Sequence, residues 1–354
     1  MATAVLALPV PVGRRVRGRG RGAPAPPPVW PVAFGSTELT GPLDYMEDTT
    51  SIHRAFFTWV GGKVMHFAGV FDGQGGTHVS ALCKRQMHLI LAEELAAESA
   101  RFLLRRGHHQ RLQAPWVEQD EEEVAWRAAL IRAFARVDAL SDLACACGEA
   151  TRPRCCACPR SDVAARCVGS TAVVAVLVGD RIVVANCGDS RAVLCRGPRG
   201  SPPLPLSDDH KPDRPDERAR IMSVGGQVLY DVNRKPRVRG LLATSRALGD
   251  RFLKPEVICE PEITVTQRTL ADRFLIVASD GMWDVLSNKN ACAVARRCLE
   301  DGNNHPTAAT AGEVGLDQER RCKAAATFLA ELALDMDSRD NVSVVIVDLQ
   351  NRVD

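Results

Sequence analysis

The stretch "HFAGVFDGQGG" (66–76) ends an apolar run at Phe71 with Asp72 and Gly73, a carboxylate and a flexible backbone at the point where a buried strand would stop. The arrangement recurs. "RIVVANCGDS" runs out at Gly188-Asp189, "RFLIVASDGMWD" at Asp280-Gly281 with Asp284 four residues on, and "DSRDNVSVVIVDL" sets Asp340 and Asn341 just before an apolar run. "DYMEDTTSIH" places Glu47 and Asp48 beside a further β-prone stretch. A single such Asp is an ordinary turn residue. Four or five acidic strand ends that a sheet sandwich would bring together are a different matter, because gathered carboxylates repel and raise one another's pKa. A hard divalent cation removes that penalty, and an oxygen ligand set without His or Cys suits magnesium or manganese rather than zinc. Gly73 lets its own backbone carbonyl approach the same ions. Two ions sharing a carboxylate would activate water and hold both sides of a phosphoryl displacement.

The elements that must position these acids are legible from periodicity. "HFAGVF" reads as a strand, and "STAVVAVLV" (170–178) and "RIVVANC" (181–187) as a hairpin joined by Gly179-Asp180. Thr264–Thr266, "RFLIVAS" (273–279) and "NVSVVIVDL" (341–349) are strand-like. Apolar spacing of three and four predicts helices over 79–104, 122–143, Ala291–Leu299 and 323–336. Strands come in runs with helices grouped between them. That favours an α+β fold of antiparallel sheets covered by helices over a doubly wound parallel sheet. No internal repeat is present.

The 354 residues are 45% hydrophobic and 25% charged, the balance of a soluble globular protein. No window is long and apolar enough for a spanning helix. Thirteen cysteines with no secretory signal ahead of them point to a reducing, intracellular setting with free thiols. Residues 1–37 hold Arg14, Arg15, Arg17, Arg19 and Arg21 and no acid, which leaves the remainder at about −3 against +2 overall. A mildly acidic body does not suggest a nucleic-acid surface. Residues 1–30 read as a disordered Arg/Pro/Gly-rich tail. An organelle transit peptide and RNA contact through the Arg-Gly run stay open as alternatives for it.

In their order along the chain, "MED" (46–48), "GVFDGQGG" (69–76), "GSTAVVAVLVGDRIVVANCGDSRAVLCR" (169–196) and "LSDDHKPDRPDERARI" (206–221) resemble motifs of the metal-dependent protein Ser/Thr phosphatases of the 2C type, particularly their plant branch. "TSRALGDRFLKP" (244–255), "LIVASDGMWDVLSN" (275–288) and "SRDNVSVVIVDL" (338–349) extend the resemblance over residues 31–350. It implies a four-layer α-β-β-α sandwich of two antiparallel sheets flanked by helices, with a site for two Mg²⁺ or Mn²⁺ ions at one edge. By the same resemblance Asp72 bridges both ions, Gly73 offers its carbonyl, and Asp280 and Asp340 are the remaining direct ligands. Glu47 and Asp48 resemble acids that hold metal-bound waters, and Asp189 and Asp284 those of a third, weaker ion. Asn341 and Ser190 would orient their neighbours. The implied reaction is hydrolysis of phosphoserine or phosphothreonine by a metal-activated water, without a phospho-enzyme. The implied substrate is a phosphoprotein, a kinase or another signalling protein, met by a monomer in the cytoplasm or nucleus.

Three departures qualify the resemblance. Gln74 stands where the family usually has His, and an amide donates a hydrogen bond but no proton. Losing a general acid costs about 10²–10⁴-fold in rate. Leu43 stands where the family usually has a phosphate-clamping Arg, and Arg54 or another Arg is a candidate substitute. Two expectations follow: an enzyme of reduced turnover or, alternatively, a pseudophosphatase that binds phosphoproteins or signalling partners. The third departure is "GGQVLYDVNRKPRVRG" (225–240), which lacks the Trp through which plant relatives dock hormone receptors, so such docking is not expected. Its Tyr230 reads as a strand residue. Its Arg234, Lys235, Arg237 and Arg239 read either as a lure for acidic substrate or as a solvated loop.

"CACGEATRPRCCAC" (145–158) with Cys167 reads as a variable insert loop over 145–167, its spacing fitting structural zinc only weakly. Cys187, Cys195, Cys292 and Cys298 lie in apolar runs as small core residues, and His210 reads as a loop-fixing contact.

Overall fold

The apolar runs become strands covered on both faces. The computed structural model describes residues 32–109, 115–144, 168–300 and 311–350. The tail (1–30) and the cysteine-rich insert (145–167), with the readings attached to them, lie outside the described residues. In chain order the elements begin with β1 (Ala33–Leu39), β2 (Thr49–Trp59), β3 (Lys63–Phe71), β4 (Gly73–Gln74), α1 (His78–His109) and α2 (Pro115–Leu140). Then come β5 (Gly169–Ser170), β6 (Ala172–Val178), β7 (Arg181–Cys187), β8 (Arg191–Arg196), β9 (Leu204–Pro205) and α3 (Pro215–Ser223). A ribbon of β10 (Val228–Tyr230) and β11 (Pro236–Val238) precedes β12 (Leu248–Gly249), β13 (Glu262–Gln267) and β14 (Asp272–Ala278). Last are α4 (Asp280–Trp283), α5 (Asn288–Glu300), α6 (Ala311–Asp335) and β15 (Val342–Asp348).

One five-stranded sheet runs β1-β15-β14-β8-β9 and the other β13-β7-β6-β3-β2, every neighbouring pair antiparallel. Side chains alternate between faces along each strand. On β6, Ala172, Val174, Val176 and Val178 join the core under α1 and α2, while Val173, Ala175 and Leu177 join the core between the sheets. On β14, Phe274, Ile276 and Ala278 meet α5 and α6, while Leu275 and Val277 face inward. The layers are therefore helix, sheet, sheet, helix, as the resemblance implied. Burial on both faces explains why these strands read as unbroken apolar runs rather than as alternation. Phe67 on β3 is fully buried in the outer core and edge-on to Phe56; truncating such a ring to Ala costs about 3–5 kcal/mol.

The helices start earlier than periodicity predicted. α2 begins at Pro115 rather than 122, since Pro is tolerated in a first turn and the acidic run at 120–123 suits the helix N-terminus while hiding the apolar spacing. α6 begins at Ala311 rather than 323. The free-thiol expectation also needs correction. Cys195 and Cys292 are buried as expected but joined in a disulfide, whereas Cys83, Cys187 and Cys259 carry free thiols.

Strand register gathers the acidic ends. Thr49 at the start of β2 pairs with Phe71 at the end of β3, and Val70 pairs with Val173 near the start of β6. Ala172 pairs with Cys187 at the end of β7. In the other sheet Ala278 at the end of β14 pairs with Val344 near the start of β15. Gly281 lets the turn after β14 close on β15, since a Cβ there would sit 2.0 Å from the Asn341 carbonyl oxygen. The residues just beyond these ends, 47–48, 72–74, 189, 280 and 340, consequently meet at one edge of the sandwich.

Candidate active site

An open cavity of about 580 Å³ lies along this edge. Glu47, Asp72, Gly73, Gln74, Asp189, Asp280, Asp284 and Asp340 line it, which is every site residue expected from the sequence except Asp48. Asp48 is buried beside Asp72, with its Oδ2 lacking a hydrogen-bond partner. Gly73 has no space for a side chain, because a Cβ would stand 2.4 Å from the Glu47 carbonyl oxygen.

Hydrogen bonds hold the acids in place. The Asp72 N–H donates to Thr171 Oγ1 (3.2 Å), which shares a 2.8 Å hydrogen bond with Ser190 Oγ, and the Thr171 N–H donates to the Asp72 carbonyl. Asn341 Nδ2 donates to the Thr40 and Tyr45 carbonyls, and its Oδ1 accepts from the Glu47 N–H at 2.7 Å, clamping the loop that delivers Glu47 and Asp48. Asp284 follows α4, one helical turn after Asp280 and on the same face. Trp283 anchors that turn by donating to the Arg191 and Ala278 carbonyls.

The carboxylates stand in one another's field. Burial first, then Asp48, Asp280, Asp189 and Asp340 push Asp72 well above the usual carboxylate range. Burial and Asp189 push Asp280 up to about 8, and burial chiefly pushes Asp48 up to about 7. Glu47 and Asp340 are raised as well, again chiefly by burial. One cation stands among them that sequence reading missed. Lys211 Nζ lies 2.5 Å from Asp189 and 3.5 Å from Asp280, and those partners outweigh its burial to keep it charged. Its only signal in the sequence is a Lys between His210 and Pro212 in an Asp-rich turn. His210 is that turn's fastener: its Nδ1 accepts from the Gly188 N–H and its carbonyl accepts from Ser245 and Thr244. Burial lowers its pKa to about 4, so it stays neutral.

A cluster of acids that outnumbers the lysines paired with it fits hard divalent cations, and the orphaned Asp48 oxygen points the same way. Asp72, Gly73, Asp280 and Asp340 would hold such ions.

The substrate-facing side differs from expectation. Leu43 is 44% exposed and does not line the cavity. Arg54 does not substitute: it pairs with Glu319 and lies 5.2 Å from the Phe34 ring. Gln74 Nε2 donates to Asp250 Oδ2 at 2.6 Å. Asp250 is buried in a left-handed turn (φ 44°), and burial raises its carboxyl to about 6. The run at 234–239 is not a free basic patch. Lys235 pairs with Asp284 at 3.0 Å, Arg237 with Asp231 at 3.1 Å, and Arg239 with Glu256 at 2.5 Å. Lys235 and Arg237 reach the cavity wall. Tyr230 is a strand residue but is 53% exposed rather than packed.

The family model described as protein phosphatase 2C matches residues 32–342. "Probable protein phosphatase 2C 37" of Oryza sativa subsp. japonica is 47% identical, the match covering 92% of this chain and 77% of that one. "Protein phosphatase 2C 37" of Arabidopsis thaliana is 42% identical over 90% of this chain and 72% of its own. A solved serine-threonine phosphatase 2C from Toxoplasma gondii superposes with a TM-score of 0.66 at 25% identity, covering 93% of this chain and 98% of that one. Among the described residues no helix is long and apolar enough to cross a membrane. With a family match over most of its length and close plant relatives, the chain belongs to the protein phosphatase 2C family.

Proposed function

We propose that this chain hydrolyses phosphoserine and phosphothreonine on proteins at the acidic cavity, with two Mg²⁺ or Mn²⁺ ions and with reduced turnover. The observation that carries the reading is the convergence of Asp48, Asp72, Asp189, Asp280 and Asp340 from distant parts of the chain into one electrostatic cluster. Divalent ions, when bound, neutralise phosphoryl charge and make water a nucleophile near neutral pH. The rest falls to the chain's own groups. Asp72 is held by Thr171, and Glu47 by Asn341, so the acid constellation is fixed before substrate arrives. Lys235 and Arg237 at the wall take up phosphate charge where the family's clamping Arg is replaced by Leu43. Gln74, fastened to Asp250, offers a hydrogen bond to the leaving oxygen but no proton. The alkoxide of serine or threonine therefore departs without the proton it needs, one that a phenolate leaving group would hardly require.

The same Gln74–Asp250 pair favours the second reading, a metal-stabilised pseudophosphatase that binds a phosphoprotein without turnover. An aryl phosphate with a good leaving group separates the two. With manganese, turnover of aryl phosphate and slow turnover of phosphopeptide support the impaired enzyme. Silence on both substrates, with phosphopeptide binding and a manganese-induced rise in Tm retained, supports the pseudophosphatase. Absence of any manganese effect on Tm removes both.

A further inference from the structure

A second cavity, of about 240 Å³, opens between β8 and α5 and shares no lining residue with the acidic one. Cys195 and Cys292 both line it. They form a disulfide that closes 97 residues of chain, with Cα atoms 5.9 Å apart, well inside the range such a bond needs. Around them stand Arg196, Arg199, Lys289, Arg296 and Arg297, and among the described residues no carboxylate lines the cavity. Asp272 neutralises Arg196, and Glu300 is shared by Arg199 and Arg296. Lys289 and Arg297 are exposed and have no carboxylate partner among the described residues. The wall thus carries an excess of positive charge over the one electrophilic group present, a sulfur–sulfur bond.

We propose that this cavity binds a small anionic thiol, and that the bound thiol exchanges with the Cys195–Cys292 disulfide. A positive wall concentrates anions and raises their on-rate. It also favours the thiolate, which is the attacking species, and stabilises the thiolate that leaves. Both cysteines are buried, and Cys292 is the less buried of the two, at 7% exposure of the residue against 1% for Cys195, so attack falls on its side of the bond. The thiolate attacks Cys292 Sγ and the protein S–S bond breaks, giving a mixed disulfide and a Cys195 thiolate that takes a proton from water. A second thiol attacks the mixed disulfide on its own sulfur, releasing the small-molecule disulfide and the Cys292 thiol. Two thiols are oxidised and one protein disulfide is reduced. The carboxylates of the thiol are recognised by Lys289 and Arg297. The bond also links the strand that starts two residues after Asp189 to the helix that starts four residues after Asp284, so exchange acts on the frame of the acidic cavity from outside it.

The test uses the full chain, first oxidised with glutathione disulfide and peptide-mapped without reduction. It is then treated with reduced glutathione (anionic), 2-mercaptoethanol (neutral) or cysteamine (cationic) at matched thiolate concentration. Quenched alkylation and mass mapping follow Cys195 and Cys292. Glutathione is expected to open the bond about 10-fold faster than 2-mercaptoethanol, with cysteamine slowest. The doubly charge-reversed variant Lys289→Glu/Arg297→Glu, at two exposed positions, is expected to erase that preference while the 2-mercaptoethanol rate stays unchanged. Equal rates for the three thiols, a preference that survives in the variant, or a map without the Cys195–Cys292 linked peptide would each overturn the proposal.

Discussion

Two acidic clusters in this molecule are built on opposite principles. Asp216, Glu217 and Glu262 lie with carboxylate oxygens within 4.8 Å of one another, tight enough to suggest a metal site on geometry alone. Every one of them is engaged by arginine. Glu217 accepts from Arg246 (2.7 Å) and Arg220 (2.6 Å) and from Ser245, while Arg214 pairs with Asp216 and with Glu262. Against burial, which would raise it, these partners pull Glu217 down to about 2. Among the described residues the cavity acids are paired with just two cations, Lys211 with Asp189 and Asp280 and the exposed Lys235 with Asp284, and Asp48, Asp72, Asp280, Asp340 and Glu47 are all shifted upward. Compactness is therefore the wrong criterion. An acid cluster that comes with its own cations is a structural network; one that lacks them waits for cations from solution.

Asp72→Asn probes that contrast hardest. It is expected to lower manganese-dependent hydrolysis of aryl phosphate by at least about 10³-fold and to abolish the manganese-induced rise in Tm. It should at the same time raise the Tm of the protein in chelator, because it removes a carboxyl that must take up a proton to be buried in a repelling set. A fall in the chelator Tm would show that the cavity acids are not frustrated and would erase the difference between the clusters. Glu217→Ala should do the reverse. It takes the carboxylate from Arg220 and leaves Arg246 with Glu262 alone, and costs about 3–5 kcal/mol in urea unfolding, with manganese affinity by calorimetry unchanged. If affinity dropped with stability, the two clusters would be one functional unit.

Gln74→His sharpens the same boundary at the substrate side. Asp250, already placed to accept from residue 74, would support an imidazolium. The expected result is about a 10- to 100-fold gain on phosphopeptide with little change on aryl phosphate, read from steady-state rates with manganese. No gain would mean that the proton is not what limits turnover. Leu43→Arg, whose side chain starts outside the cavity, is expected to lower KM for phosphopeptide by less than about 10-fold and to leave kcat unchanged.

These contrasts also separate what was legible in the sequence from what was not. β3, β6, β7, β14 and β15 were visible because burial on both faces writes itself as an unbroken apolar run, and the acids were visible because each directly adjoins such a run. Lys211, Thr171 and Asp250 were not, because their meaning comes from partners far away in sequence: Asp280, Asp72 and Gln74. The same holds for Lys235 and Arg239, which look like a basic run until Asp284 and Glu256 fold against them. Cys195 and Cys292 read as independent core thiols because no local pattern encodes a bond across 97 residues. Periodicity reports a residue's burial; it is silent on which charge or sulfur it meets.

The last expected effect is a slope, and it reads both clusters in one titration. In chelator, Asp48 and Asp280 bind protons in the folded state up to about pH 7 and 8, against an ordinary carboxylate value of about 4 when unfolded. Over that window the folded protein holds protons that the unfolded chain has released, so stability falls as pH rises, by up to about 1.4 kcal/mol per pH unit for each proton. Glu217 has the opposite sign. Its folded value near 2 lies below its unfolded one, so its contribution is complete above about pH 4.5 and is lost as pH falls toward 2. The urea midpoint of the metal-free protein should therefore peak near pH 4–5 and decline on both sides. Saturating manganese should flatten only the high-pH limb, because ions replace protons on the cavity acids and have no place among the arginines. A metal-free midpoint that stayed level from pH 5 to 8 would mean that the cavity acids do not share a field, and the case for divalent ions at this edge would lose its physical basis.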